Sequence, residues 1–99
     1  MKFEITKQIK EKVTVDIDLP YYYKQYFDLH IGGAVLYGKV EESRCTSILV
    51  RESENLEFEL CVENKPARDS TGYMSEEYKS NEDEYLIAKA RLIASAQEA

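Results

Sequence analysis

Apolar residues fall on every second position at the start of the chain. Phe3, Ile5, Ile9, Val13, Val15, Ile17 and Leu19 take odd positions, while Lys2, Glu4, Lys12, Asp16 and Asp18 take even ones. A period of two is that of a β-strand with one buried and one wet face. Lys7 and Glu11 interrupt the apolar side. The stretch reads either as one long bent strand over about 2–18 or as a hairpin turning at Lys10-Glu11-Lys12. Parity carries across the interruption, and no Gly or Asn marks a turn there; both points favour the single strand. Pro20 ends it, because proline has no N–H to give to a ladder.

The next stretch, Tyr21-Tyr22-Tyr23-Lys24-Gln25-Tyr26-Phe27, reads as an irregular or edge-strand connection. Gly32-Gly33 is a turn signal between Leu29-His30-Ile31 and Ala34-Val35-Leu36-Tyr37. Three strands follow, over about 34–41, 45–51 and 56–63. In the last, Leu56, Phe58, Leu60 and Val62 alternate inward with Glu57, Glu59, Cys61 and Glu63 outward. Glu41-Glu42-Ser43 and Ser53-Glu54-Asn55 are hairpin-length connections, which predicts an antiparallel meander. Gly38 inside a strand predicts a bulge or a close backbone approach.

Residues 64–81 are polar and aperiodic, a loop or the cover of a short element. A helix over about 82–97 comes last. Ser80 or Asn81 caps it, with Asp83 or Glu84 three residues on and acids through the first turn. Leu86, Ile87, Ala90, Ile93 and Ala94 form its apolar stripe, widened by Tyr85 and Leu92. The expected fold is α+β: an antiparallel meander sheet of four to five strands with one C-terminal helix packed on one face. The 99 residues make one domain.

Charge narrows the function. The net charge is −6. Acid and base balance before residue 51, and the excess gathers mainly in residues 51–64, where Arg51 stands against Glu52, Glu54, Glu57, Glu59 and Glu63. No basic footprint for DNA or RNA exists, so direct nucleic-acid binding is not expected. No apolar run approaches the roughly 20 residues that cross a bilayer, and the charges at Lys2, Glu4 and Lys7 leave no apolar leader. Cys45 and Cys61 are too few for a disulfide scaffold and read as reduced thiols, which suits a cytoplasmic protein.

Two groups of residues stand out as binding candidates. Tyr21, Tyr22, Tyr23 and Tyr26 hold half of the chain's 8 tyrosines. Tyrosine offers large contact area, few rotors to freeze and a polar tip, so such a cluster suits a protein-recognition surface. The plain alternative is that the rings close the core beside Pro20. Glu57, Glu59 and Glu63 share one face of a strand, on which successive same-face residues lie about 6.8 Å apart. That row suits an acidic inhibitor that imitates phosphates and blocks a nucleic-acid-binding protein, as some phage anti-defence proteins do. The plain alternative is the solvated face of an antiparallel sheet.

Catalytic and metal chemistry find little support. His30 is the single histidine, no CxxC pair occurs, and neither cysteine has an activating neighbour in sequence. No enzyme activity, metal or cofactor is expected. The leading expectation is a small acidic protein-interaction module with a protein partner. Homodimerisation through the helix follows if the apolar stripe is wider than the sheet can cover.

Overall fold

The computed structural model describes residues 1–7, 11–29, 32–52 and 56–98. Among the described residues six strands precede the helix: β1 (Lys2–Lys7), β2 (Glu11–Asp16), β3 (Tyr21–Leu29), β4 (Gly32–Val40), β5 (Cys45–Glu52) and β6 (Leu56–Glu63). The helix α1 spans Glu82–Glu98. Strands β3 to β6 form an antiparallel meander in chain order, and β1 and β2 form a separate two-stranded sheet. The α+β architecture with a C-terminal helix is therefore as the sequence predicts.

The single-strand reading of the first stretch is overturned. β1 pairs antiparallel with β2, setting Phe3 opposite Val15 and Ile5 opposite Val13. The unbroken parity is explained by this register. An odd number of residues between paired positions returns odd positions opposite odd ones, so a hairpin of this length leaves the alternation intact. The connection itself lies outside the described residues.

The tyrosine stretch is likewise a regular strand. β3 pairs with β4 over its whole length, from Tyr21 opposite Val40 to Leu29 opposite Gly32. Gly32 and Gly33 are thus the first residues of β4, while His30 and Ile31 lie outside the described residues. The turn at Ser53-Glu54-Asn55 also lies outside them. Gly38 carries no bulge, since the register runs unbroken on both sides of it. It provides a close approach instead: the Tyr23 ring lies where a Cβ on Gly38 would stand.

Alternation along β3 to β6 sends residues to two opposite faces, and each face has its own core. Tyr21, Tyr23, Val40 and Cys45 join Phe3 and Ile5 of the hairpin with Ala67 and Met74. Tyr23 stacks on Tyr73 with ring centroids 4.1 Å apart, and the Tyr21 hydroxyl donates to the Tyr73 carbonyl at 2.9 Å. The polar stretch after β6 therefore hides an element. Two 3-10 segments, Ala67–Tyr73 and Glu76–Tyr78, bring Tyr73 and Met74 onto the sheet. The next residues seal the edge of β3, with a bridge between Lys79 and Tyr23 and the Ser80 N–H donating to the Tyr22 carbonyl at 3.0 Å.

On the second face, Ile48 and Val50 pack with Tyr85 and Ala88 of α1, flanked by Tyr22, Tyr37, Phe58 and Leu92. Asn81 caps the helix as expected: its Oδ1 accepts from the Glu84 N–H at 2.9 Å, and its Nδ2 lies 3.5 Å from Glu84 Oε1. Glu84 also takes the Lys24 ammonium at 2.7 Å, which ties the first turn to β3.

The expected helix stripe is corrected. Tyr85, Ala88 and Leu92 face the sheet, at helical spacing, while Leu86, Ile87, Ala90, Ile93 and Ala94 are exposed. The inward side of β6 is corrected too. Phe58 is half-buried beneath α1, but Leu60 and Val62 are exposed. The helix passes over Phe58, with the Arg91 guanidinium 5.6 Å from its ring, and leaves the other end of β6 open.

Two predictions follow from these cores. Gly38→Ala forces the Tyr23 ring off its place and is expected to destabilise the fold by about 1–3 kcal/mol in urea unfolding. Burial holds the hydroxyls of Tyr21, Tyr23 and Tyr85 above the ordinary tyrosine range. The unfolded chain then loses these protons at about pH 10 while the folded chain keeps them. Stability is expected to be full below that pH and to fall as pH rises through and beyond it, with a shallower fall in Tyr23→Phe.

Candidate binding surface

The alternation that builds two cores divides the tyrosine cluster. Tyr21 and Tyr23 are buried on the hairpin face, at 8% and 3% exposure. Tyr22 points to the helix face, half-buried, with its ring centroid 5.6 Å from that of Tyr85. Tyr26 is 71% exposed at the far end of β3, where the Lys24 ammonium lies 5.6 Å from its ring. The four rings do not form one surface. Two are core, one lies half-buried between core and groove, and one is free for contact.

Glu57, Glu59 and Glu63 do stay together. They lie on one face of β6, with Cys61 between Glu59 and Glu63, on the face shared by Arg51, Ser47 and Cys45 of β5, and all three are exposed. Lys65 reaches Glu63 at 2.8 Å, and this contact holds the Glu63 carboxyl below its usual range and raises the Lys65 ammonium. Arg51 approaches Glu59 at 3.9 Å. Glu57 sits opposite Arg51 in the ladder with no ion pair among the described residues.

The other side of the same strand borders a groove of about 330 Å³. Across the sheet, Tyr22, Lys39, Thr46 and Val62 are paired in one row and make its floor with Leu60. Tyr85, Leu86, Lys89 and Ile93 of α1 make its wall. Leu60, Val62, Leu86 and Ile93 are each about half exposed, at 54%, 53%, 47% and 48%. The charges around it nearly balance: Lys39, Arg44 and Lys89 against Glu41 and Glu82. Arg44 and Glu41 pair with each other at 3.2 Å. Sequence periodicity assigned these apolar residues to the core. The available signal for the groove was an apolar stripe wider than one helix face can bury.

A larger open cavity of about 750 Å³ separates the hairpin from the sheet end, between Val13, Val15, Ile17, Pro20 and Met74. Its rim carries Asp16, Asp18, Glu76 and Lys79. His30, the histidine that could serve either cysteine as a base, lies outside the described residues. Cys45 is buried with its Sγ 3.7 Å from the Tyr23 hydroxyl, and Cys61 is exposed with its Sγ 3.8 Å from Glu63 Oε1. Among the described residues no cluster of His, Cys, Asp and Glu is arranged to hold a metal ion, and no helix is long and apolar enough to cross a membrane.

The split of the tyrosines has a measurable consequence. Tyr23→Ala removes a stacked, buried ring and is expected to cost about 3–5 kcal/mol of stability. Tyr26→Ala changes an exposed side chain and is expected to stay within about 0.5 kcal/mol of the parent. Thermal and urea unfolding of the two variants separates them. Compared with known proteins, the chain matches no family model, no curated protein and no solved structure.

Proposed function

We propose that this chain is a small protein-interaction module without catalytic activity of its own, and that its contact surface is the groove between α1 and β6. The observation that carries this reading is the shared exposure of Leu60, Val62, Leu86 and Ile93 around one concavity. A sizeable contiguous apolar patch on a folded domain marks an interaction site, because leaving it in water sacrifices stability. Tyr22 borders the same groove, so one member of the tyrosine cluster joins this surface. Tyr26 and Phe27 stand at the opposite edge of the sheet and supply a separate, smaller contact.

A second reading, the acidic inhibitor of a nucleic-acid-binding protein, draws on the exposed row of Glu57, Glu59 and Glu63. Arg51 and Lys65 already engage two of the three. The remaining charge is small for a surface that must replace a phosphate backbone, so the groove reading is preferred.

The test is the double variant Leu86→Glu/Ile93→Glu. Both side chains are exposed, so the fold is expected to survive with a stability change of no more than about 1 kcal/mol. Capture of binding partners from host lysate is expected to be lost. Sedimentation velocity on the same pair of proteins reveals self-association: a dimer that the double variant dissolves would identify the partner as a second copy. Capture that persists in the double variant but disappears in Glu57→Lys/Glu59→Lys/Glu63→Lys, or at raised salt, would favour the acidic inhibitor.

A further inference from the structure

The edge strand β6 combines three features that point to one kind of occupant. Its first feature is backbone. Among the described residues β6 pairs only with β5, so its outer row of N–H and C=O groups has no partner strand. The opposite edge differs, because Lys79 and Ser80 cover part of β3. The second feature is the groove beside Leu60 and Val62 on the helix face. The third is the row of Glu57, Glu59 and Glu63 on the other face.

An added strand continues the alternation of the sheet it joins. Its side chains on one face would lie beside Leu60 and Val62, under Leu86 and Ile93. Those on the other face would lie beside three carboxylates. We propose that β6 accepts an extended segment of another protein in which apolar residues alternate with Lys or Arg. The apolar side chains enter the groove, and the basic ones align with Glu57, Glu59 and Glu63. This proposal rests on the groove being the contact surface, and adds the conformation and charge of what binds there.

A second copy of the chain fits this edge poorly in the registers that pair most of β6. With the helix faces on the same side, an antiparallel copy centred on Leu60 sets Glu57 against Glu63. Centring on Glu59 sets that residue against itself, and centring on Cys61 sets Glu59 against Glu63. Like charges directly opposite each other destabilise a strand pair, so the acidic row disfavours self-pairing and favours a basic partner.

The test uses the intact protein and a capped peptide of about eight residues alternating Val and Lys. NMR titration is expected to shift the amides of residues 57–63 together with Leu86 and Ile93, and hydrogen exchange to slow in β6. A peptide with Glu in place of Lys is expected to bind at least roughly tenfold more weakly. The variant Glu57→Lys/Glu59→Lys/Glu63→Lys is expected to reverse that preference. A Val-Lys peptide N-methylated at every residue, blocked from pairing along both edges, is expected to lose binding. Equal binding of the N-methylated peptide, shifts located away from β6, or no binding would overturn the inference. Partner capture that needs Leu86 and Ile93 without strand addition at β6 would also overturn it, while leaving the interaction module standing. Strand addition unchanged by Leu86→Glu/Ile93→Glu would instead remove the groove from both readings.

Discussion

Tyr21, Tyr22 and Tyr23 follow one another along β3, and pleating sends the middle ring to the face opposite its neighbours. The rest of the structure depends on that constraint. A sheet apolar on both faces needs a cover on each, and a chain of 99 residues supplies two small ones. The β1–β2 hairpin and the 3-10 segments take one face at the Tyr21–Val40–Cys45 end. Helix α1 takes the other, held by the Asn81 cap and the Lys24–Glu84 ion pair. Neither cover reaches the whole sheet, and the outer part of β6 is left over together with Tyr26 and Phe27 at the far end of β3.

The same alternation explains which elements were legible in the sequence. β4, β5 and β6 were readable because hydrophobic runs and short polar connections both marked them. The helix was readable from its cap and its acidic first turn. The β1–β2 turn was not, because a hairpin whose register pairs odd with odd leaves parity unchanged. β3 looked irregular because three consecutive tyrosines obscure an alternation that becomes visible only when both faces are apolar. Periodicity reports which side of an element is apolar, not whether a neighbour arrives to cover it. Leu60, Val62, Leu86 and Ile93 therefore read as core and stand half in water. The acidic row is local to one strand and was legible residue by residue, whereas the tyrosine cluster, split between two faces, was not legible as a site.

Magnitudes connect that exposed surface to recognition. Fully burying a Leu, Val or Ile side chain is worth about 1.5–3 kcal/mol. The unburied halves of four such residues hold about 3–6 kcal/mol in total on that scale. Association itself costs about 4–15 kcal/mol in lost freedom. Apolar contact with the groove is thus comparable to the lower end of the cost and gives no tight complex alone. The free edge of β6 supplies what is missing, because a strand that pairs there gains backbone hydrogen bonds without a new pocket.

If β6 accepts a strand, as proposed, charge selects which one. The groove carries nearly balanced charge, and so discriminates little by sign. The opposite side of β6 carries Glu57, Glu59 and Glu63, compensated only in part by Arg51 and Lys65. An exposed edge is normally an aggregation hazard, and charged residues along it are a common protection. Here the protection has one sign. On the strand-addition proposal, repulsion between acidic rows disfavours a second β6, and the same field would draw a basic segment into register. One row of carboxylates can therefore keep the free protein from pairing with itself and choose the strand that joins it.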